Sequence, residues 1–128
     1  MEERHEFPGE EERLDLGWLE VCFKVTDLEQ SLDFYRKLDF MVIGVDRQQG
    51  WAVLENEACR IALYQGHIDK NLLNFRGGDV YQIATRLKER GVPMAIDATE
   101  EPDGSVGAVV VDPDGNIIYF NTHPEELR

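Results

Sequence analysis

Hydrophobic and polar residues alternate from Leu19 to Val25, and this pattern predicts a half-buried strand. Asp27 follows as a helix N-cap, with Gln30 three residues later, as in a capping box. Apolar residues then recur at helical spacing up to residue 38. Three more strands are predicted at residues 40–46, 51–55 and 59–64. The first half of the chain therefore predicts one βαβββ module.

The same order of elements returns in the second half of the chain. A short strand at residues 72–76 leads into a helix with Asp79 as its N-cap, and Gly91 followed by Pro93 ends that helix. The remaining strands are predicted at residues 94–98, 108–112 and 117–122. This repetition of the order indicates a duplicated module.

The duplication predicts an α+β fold in which the two modules, residues 17–64 and 71–123, form one curved mixed sheet. Each module has one helix and four strands, so it leaves one sheet face uncovered. We expect the helices on the convex side and a concave cup as the ligand site. Residues 1–15 carry seven acids and no apolar periodicity, so we expect an acidic, flexible N-terminal tail before a single domain at 16–128.

The amino-acid composition limits the kinds of molecule that the protein is expected to bind. The 128 residues include 13 basic and 26 acidic ones, a net charge of −13. Nucleic acids and anionic membrane surfaces are disfavoured as partners, because both attract basic faces. No stretch resembles a signal peptide or a membrane span. Two cysteines do not make a disulfide framework, so a cytoplasmic protein with free thiols is expected.

Two stretches carry a family resemblance. Residues 25–40, VTDLEQSLDFYRKLDF, and residues 112–120, DPDGNIIYF, resemble the vicinal oxygen chelate superfamily, which includes glyoxalase, bleomycin-resistance and extradiol dioxygenase proteins. Asp39 stands where that family usually has glycine. The resemblance covers residues 17–123, and it implies the two-module cup fold.

The resemblance also implies four positions for metal ligands, at the first and last strand of each module. They fall on Glu20, Ala62, Leu72 and Tyr119. Ala62 and Leu72 have no donor atom, and a neutral phenol is a weak ligand. One carboxylate does not make a catalytic metal site, which usually needs three protein ligands. We therefore predict no metal and no cofactor.

Strand alternation predicts which side chains line the cup. The candidate ligand-binding residues are Glu20, Cys22, Lys24, Trp51, Tyr64, Asn74, Arg76 and Tyr119. Glu20 either forms a structural ion pair with Lys24 or Arg76, or takes a proton or binds a ligand cation. The tyrosines either fill space or stack on a ligand. Cys22 is expected to be a small buried residue rather than a nucleophile.

These observations favour a metal-free small-molecule-binding protein of the glyoxalase/bleomycin-resistance type that sequesters an aromatic or cationic compound. No catalytic residue is assigned. The alternative is a lyase, isomerase or dioxygenase-like enzyme that uses the same cup without a metal, with Glu20 as acid or base. A metal enzyme is disfavoured by the missing donor atoms. The resemblance also implies a homodimer.

Overall fold

The computed structural model describes residues 8–9 and 12–126, so most of the predicted acidic tail lies outside the described residues. The strands are β1 Gly17–Lys24, β2 Met41–Asp46, β3 Trp51–Glu55, β4 Arg60–Tyr64, β5 Leu72–Gly77, β6 Ile96–Glu100, β7 Val106–Val111 and β8 Ile117–Thr122. The helices are α1 Leu28–Arg36 and α2 Val80–Glu89, and a short 3₁₀ turn follows at Pro124–Glu126.

All eight strands form one curved sheet in the order β2-β3-β4-β1-β5-β8-β7-β6. Within each module the first strand is parallel to the last, since β1 pairs with β4 and β5 pairs with β8. The modules meet at the centre of the sheet, where β1 and β5 pair antiparallel. The predicted α+β fold with two βαβββ modules is therefore confirmed.

Both helices begin directly after the N-cap residues that the sequence predicted. The Asp27 carboxylate accepts a hydrogen bond from the Gln30 backbone N–H at 3.1 Å. Asp79 accepts one from the Gln82 N–H at the same distance. Each carboxylate satisfies a backbone donor that has no partner within the helix. The equivalent caps fix the same entry geometry in both modules.

Each helix covers its own half of the convex face. Leu28 and Leu32 of α1 pack on a cluster that includes Ile61 and Leu63 of β4. Val80 and Ile83 of α2 pack on a second cluster that includes Phe120 of β8. These strand residues have the parity that the alternation predicted for the helix side. The side chains at the alternate positions of these strands therefore face the opposite side of the sheet and line the cup.

Six of the eight described strands differ from the sequence prediction by one or two residues at one or both ends. Strand β6 spans Ile96–Glu100 rather than residues 94–98, because an edge strand with exposed side chains does not need apolar residues to pair. Strand β7 spans Val106–Val111 rather than residues 108–112. The Asp112 carboxylate instead accepts hydrogen bonds from the backbone N–H groups of Asp114 and Asn116, so it belongs to the β7–β8 turn.

Candidate functional site

Strand register aligns the cup side chains in rows that cross the sheet. One row contains a residue from every strand, and we call it the central row: Met41, Glu55, Arg60, Glu20, Asn74, Tyr119, Val109 and Ile96. Its middle members are polar. Because neighbouring strands lie about 4.8 Å apart, Glu20 is flanked directly by Arg60 and Asn74.

The next row on the cup face is apolar. This apolar row contains Val53, Ala62, Cys22, Leu72, Ile117 and Val111. It is offset from the central row by two residues along each strand, or about 7 Å. The cup floor thus combines a polar stripe with an apolar stripe, as expected for a small-molecule site.

Glu20 is the most buried charged group of the cup, with 1% of its surface exposed. Its Oε1 lies 3.5 Å from Nη1 of Arg76. Lys24, the other partner that the sequence allowed, lies four residues along the same strand, about 13 Å away. The structural ion pair of Glu20 is therefore with Arg76.

Arg76 is itself held by the C-terminal turn. Its Nε and Nη2 donate to the two carboxylate oxygens of Glu126 at 3.2 and 3.0 Å. Burial alone would lower the pKa of Arg76, but these hydrogen bonds and the charge of Glu20 outweigh burial and raise that pKa. The guanidinium also lies 5.6 Å from the ring centre of Trp18. The sequence analysis did not identify Glu126 as a site residue. The sequence of the C-terminal turn does not indicate which part of the sheet this turn packs against.

Two buried oxygens of the central row lack a hydrogen-bond donor. They are Oε2 of Glu20 and Oδ1 of Asn74, which belong to paired residues of β1 and β5 and receive no hydrogen bond from the described residues. A buried acceptor without a donor costs about 1–3 kcal/mol, and more when it is charged. The centre of the cup therefore holds two buried acceptors without a donor among the described residues.

Cys22 lies beside Glu20, with its Sγ 3.9 Å from Oε1. Burial and the neighbouring carboxylate raise the pKa of its thiol to about 12. A thiol in that state is neutral at physiological pH and is a poor nucleophile. These properties agree with the small buried residue that the sequence indicated.

Trp51, Tyr64 and Lys24 form a third row, at the end of the first module, with Tyr64 in the middle. Burial raises the pKa of Tyr64 to about 12, with smaller contributions from the nearby Cys22 and Glu20. Its ring centre lies 6.0 Å from that of His67 in an edge-to-face arrangement. Tyr64 is therefore a neutral phenol, and Lys24 is exposed at the rim.

Tyr119 occupies the position where the resemblance implied a carboxylate ligand. Its hydroxyl accepts a hydrogen bond from Nδ2 of Asn121 at 3.4 Å. Burial raises the pKa of Tyr119, and the charge of Glu101 raises it further. The phenol is therefore a neutral group that can donate its own proton to a ligand acceptor.

A cavity of about 230 Å³ opens beside Tyr119, over the second module. Its walls are Leu72, Ile96, Thr99, Glu101, Gly107, Ala108, Val109, Ile117 and Tyr119. Of these, only Tyr119 was among the candidate ligand-binding residues. The alternation of β6 and β7 could have indicated Ile96 and Val109, which the register places on the cup face in the same row as Tyr119.

The donor atoms at the four implied metal positions do not fit a divalent metal. Ala62 and Leu72 supply none, Tyr119 is a neutral phenol, and Glu20 is paired with Arg76. Across the part of the chain that the structure describes, no three or more His, Cys, Asp or Glu side chains come together as a metal site would require. The prediction of a metal-free cup remains a prediction.

The fold and the cup define a class of proteins in which two βαβββ modules share one sheet and enclose a ligand site. A family model described as the glyoxalase/bleomycin resistance protein/dioxygenase superfamily matches residues 17–120. The chain belongs to this superfamily, whose members typically bind small molecules. The predicted resemblance is therefore confirmed.

Solved structures share the fold at low sequence identity. An NAD-dependent benzaldehyde dehydrogenase structure from Legionella pneumophila is 20% identical, with 82% of this chain and 98% of that chain covered and a TM-score of 0.70. A glyoxalase/bleomycin resistance protein/dioxygenase superfamily member from Vibrio splendidus 12B01 is 15% identical, with 81% and 97% covered and a TM-score of 0.64. A hypothetical protein from Bacillus halodurans C-125 is 19% identical, with 91% and 97% covered and a TM-score of 0.64.

No curated protein matches the chain in sequence. At these identities the solved structures show the fold alone. Among the described residues, neither helix has the length and apolar character needed to cross a membrane.

Proposed function

We propose that this protein binds a small molecule in its cup without a metal, and that the molecule donates hydrogen bonds to Glu20 and Asn74. The observation that carries the proposal is the pair of buried oxygens, Oε2 of Glu20 and Oδ1 of Asn74, to which no residue in the described part of the chain donates a hydrogen bond. A ligand amino group that reached both atoms would donate an N–H to each and remove the cost of leaving them unpaired.

The charge of the site supports a cationic ligand. Glu20 and Glu126 share one guanidinium, that of Arg76, so this cluster carries a net charge of −1. The whole chain carries −13, which attracts cations over longer distances. Tyr64 and Trp51 lie four residues along their strands from the Glu20 row on the same face, and they offer faces for stacking to a ligand that extends over the first module.

The enzymatic alternative uses Glu20 as acid or base. One oxygen of Glu20 is occupied by Arg76, and the adjacent Cys22 is held as a neutral thiol. These contacts favour a fixed acceptor over a group that exchanges protons. If the protein converts a compound that binds the cup into a product, the binding proposal fails and the enzymatic alternative replaces it.

Calorimetric titration of aromatic amines against the wild type and Glu20→Gln tests the proposal. The variant should bind more weakly by about 1.5–3 kcal/mol, since a charge-assisted hydrogen bond is lost. Glu55→Gln is the matched control, because Glu55 is a carboxylate of the same row that pairs with Arg60. The Glu55→Gln variant should bind the aromatic amines with the affinity of the wild type. If Glu20→Gln shifts the thermal melt while every affinity is unchanged, Glu20 is structural and the proposal fails.

We further propose that the protein is a cytoplasmic homodimer. Cys22 is buried and Cys59 is exposed, and both are free thiols, as a reducing compartment allows.

The surface proposed for the dimer is strand β2. Strand β2 is an edge of the sheet, and it exposes Met41, Ile43 and Val45. An exposed apolar edge strand is a surface suited to pairing with a second copy. A monomeric mass by light scattering at tens of micromolar protein would contradict the dimer.

A further inference from the structure

The guanidinium of Arg76 is shared unequally between two carboxylates. Its Nε and Nη2, which form one edge of the planar group, donate to the two oxygens of Glu126 at 3.2 and 3.0 Å. Its Nη1 lies 3.5 Å from Oε1 of Glu20, which is the outer limit of a hydrogen bond. Because the two-pronged contact between arginine and a carboxylate is the strong one, Arg76 is bound mainly by Glu126.

Glu20 therefore receives less from Arg76 than a guanidinium can give. Its Oε2 is buried and accepts no hydrogen bond from the described residues. An arginine whose edge is free can donate to both oxygens of one carboxylate. The edge of Arg76 is occupied by Glu126. The unsatisfied oxygen of Glu20 thus follows from the way in which Arg76 is shared.

Contacts within the C-terminal turn hold the Glu126 carboxylate in place. The backbone N–H of His123 donates to Oε1 of Glu126 at 3.1 Å. Pro124 packs on Gly104, where an added methyl group would stand 3.1 Å from the Pro124 Cγ. Burial alone would raise the pKa of Glu126, but the hydrogen bonds from Arg76 and His123 outweigh burial and lower that pKa. The turn therefore presents a charged carboxylate to Arg76 at neutral pH.

We propose that Glu126 is a positioning residue of the cup: it holds the edge of Arg76 away from Glu20 and so keeps the Glu20 carboxylate available to a ligand cation. Without Glu126, the guanidinium would turn its edge onto both oxygens of Glu20 and neutralise the charge that attracts the ligand. This inference rests on the proposed function, because it takes Glu20 as the ligand acceptor. It adds the reason why that acceptor is left open.

An X-ray structure of Glu126→Ala without ligand tests the positioning directly. Two nitrogens of Arg76 should donate to the two oxygens of Glu20, with both distances below about 3.2 Å. Glu125→Ala is the matched control, because Glu125 is an exposed carboxylate of the same turn, and its structure should keep Arg76 on Glu126. An unmoved Arg76 in Glu126→Ala would overturn the inference. Thermal melts check that each variant folds, and Glu126→Gln replaces Glu126→Ala if the latter does not.

Calorimetric titration with benzylamine at pH 7 and physiological salt tests the consequence for binding. Glu126→Ala should bind at least about tenfold more weakly than the wild type, because Arg76 then competes with the ligand for Glu20. Glu125→Ala should weaken binding by less than about twofold, since salt screens an exposed charge.

The same titration in the Arg76→Met background separates positioning from the charge of Glu126 itself. There, Glu126→Ala should change the affinity for benzylamine by less than about threefold, since no guanidinium remains to turn and salt screens the lost charge. Equal weakening in both backgrounds would show that Glu126 acts through its own charge, and the positioning role would be overturned.

The inference and the proposed function fail in different ways. If Glu20→Gln weakens benzylamine binding while Glu126→Ala changes neither the affinity nor the position of Arg76, the cup function stands and the positioning role is overturned. If Arg76 turns onto Glu20 in Glu126→Ala while both variants bind benzylamine as the wild type does, Glu126 positions Arg76 but Glu20 is not the ligand acceptor. If benzylamine does not bind the wild type, the structure of Glu126→Ala decides the positioning role by itself.

Discussion

The phenol of Tyr119 lies over Gly107 of the neighbouring strand β7. A methyl group added at Gly107 would stand 2.7 Å from the Tyr119 hydroxyl oxygen and 2.9 Å from its Cε1. Real side chains do not approach that closely, so the glycine is what allows the phenol to fold across the strand. Tyr119 stands where the family resemblance implied a metal-binding carboxylate, and here it becomes a wall of the cavity.

Gly107→Ala should therefore lower the free energy of unfolding, by about 1–3 kcal/mol, as overpacking does. The backbone at Gly107 is not left-handed, so the loss comes from the clash with Tyr119. Urea unfolding of the single variants and of Gly107→Ala combined with Tyr119→Ala measures the coupling between the two positions. The alanine at 107 should cost little once the ring is gone. An equal cost in both backgrounds would contradict this explanation.

The fold could be predicted largely from local patterns. Alternation assigned the faces of β1, β4, β5 and β8, and the caps at Asp27 and Asp79 located both helices. The predicted ends of most strands were wrong by one or two residues, as at β6 and β7, where edge-strand residues face solvent and side-chain hydrogen bonds in the turn set the end. Such boundaries depend on contacts that the alternation of apolar and polar residues does not encode.

The site could be predicted only in part. Alternation placed Glu20 and Tyr119 on the cup face, which the register confirms. Strand spacing separates Lys24 from Glu20 on β1, but alternation could not show that Arg76 contacts Glu20, because that contact depends on the register between β1 and β5. The contact of Arg76 with Glu126 spans 50 residues and depends on how the C-terminal turn docks.

Arg76→Met should destabilise the protein strongly, by about 3 kcal/mol, because it leaves the charge of Glu20 buried without a partner. Chemical denaturation of the single variant and of Arg76→Met with Glu20→Met separates the causes. The double variant should recover most of the stability, because no isolated charge remains buried. A single variant as stable as the wild type would show that the ion pair adds nothing.

Alkaline pH should destabilise the fold through Cys22. The folded-state pKa of this thiol is raised from 9.0 to about 12, mainly by burial, so the folded protein keeps a proton that the unfolded chain releases. Stability from this group is therefore complete below pH 9 and is lost as the pH rises toward 12, by about 1 kcal/mol per pH unit.

Cys22→Ala should flatten the pH dependence of the unfolding free energy, measured by denaturant titration between pH 8.5 and about 10.5, the range over which the unfolded thiol ionises. Cys59→Ala is the control, because Cys59 is exposed and should leave the slope unchanged. Identical slopes for the wild type and Cys22→Ala would contradict the effect assigned to burial.

Asp39 follows helix α1 with a φ of 66°, and among the described residues it is the one non-glycine residue with a positive φ. The left-handed conformation costs an L-residue about 1–2 kcal/mol, although aspartate is among the side chains that tolerate it best. Asp39→Gly should raise the free energy of unfolding by about 0.5–1 kcal/mol, because relief of this strain exceeds the added backbone entropy of the unfolded chain.

The control for this prediction is Asp33→Gly, the same substitution at an exposed aspartate inside α1. Glycine destabilises a helix interior by about 0.5–1 kcal/mol, and the change also removes the contact of Asp33 with Lys37 at 3.0 Å. The two variants should therefore shift the urea midpoint in opposite directions. A loss of stability in both would mean that the side chain of Asp39 stabilises the end of α1 by more than its backbone strain costs.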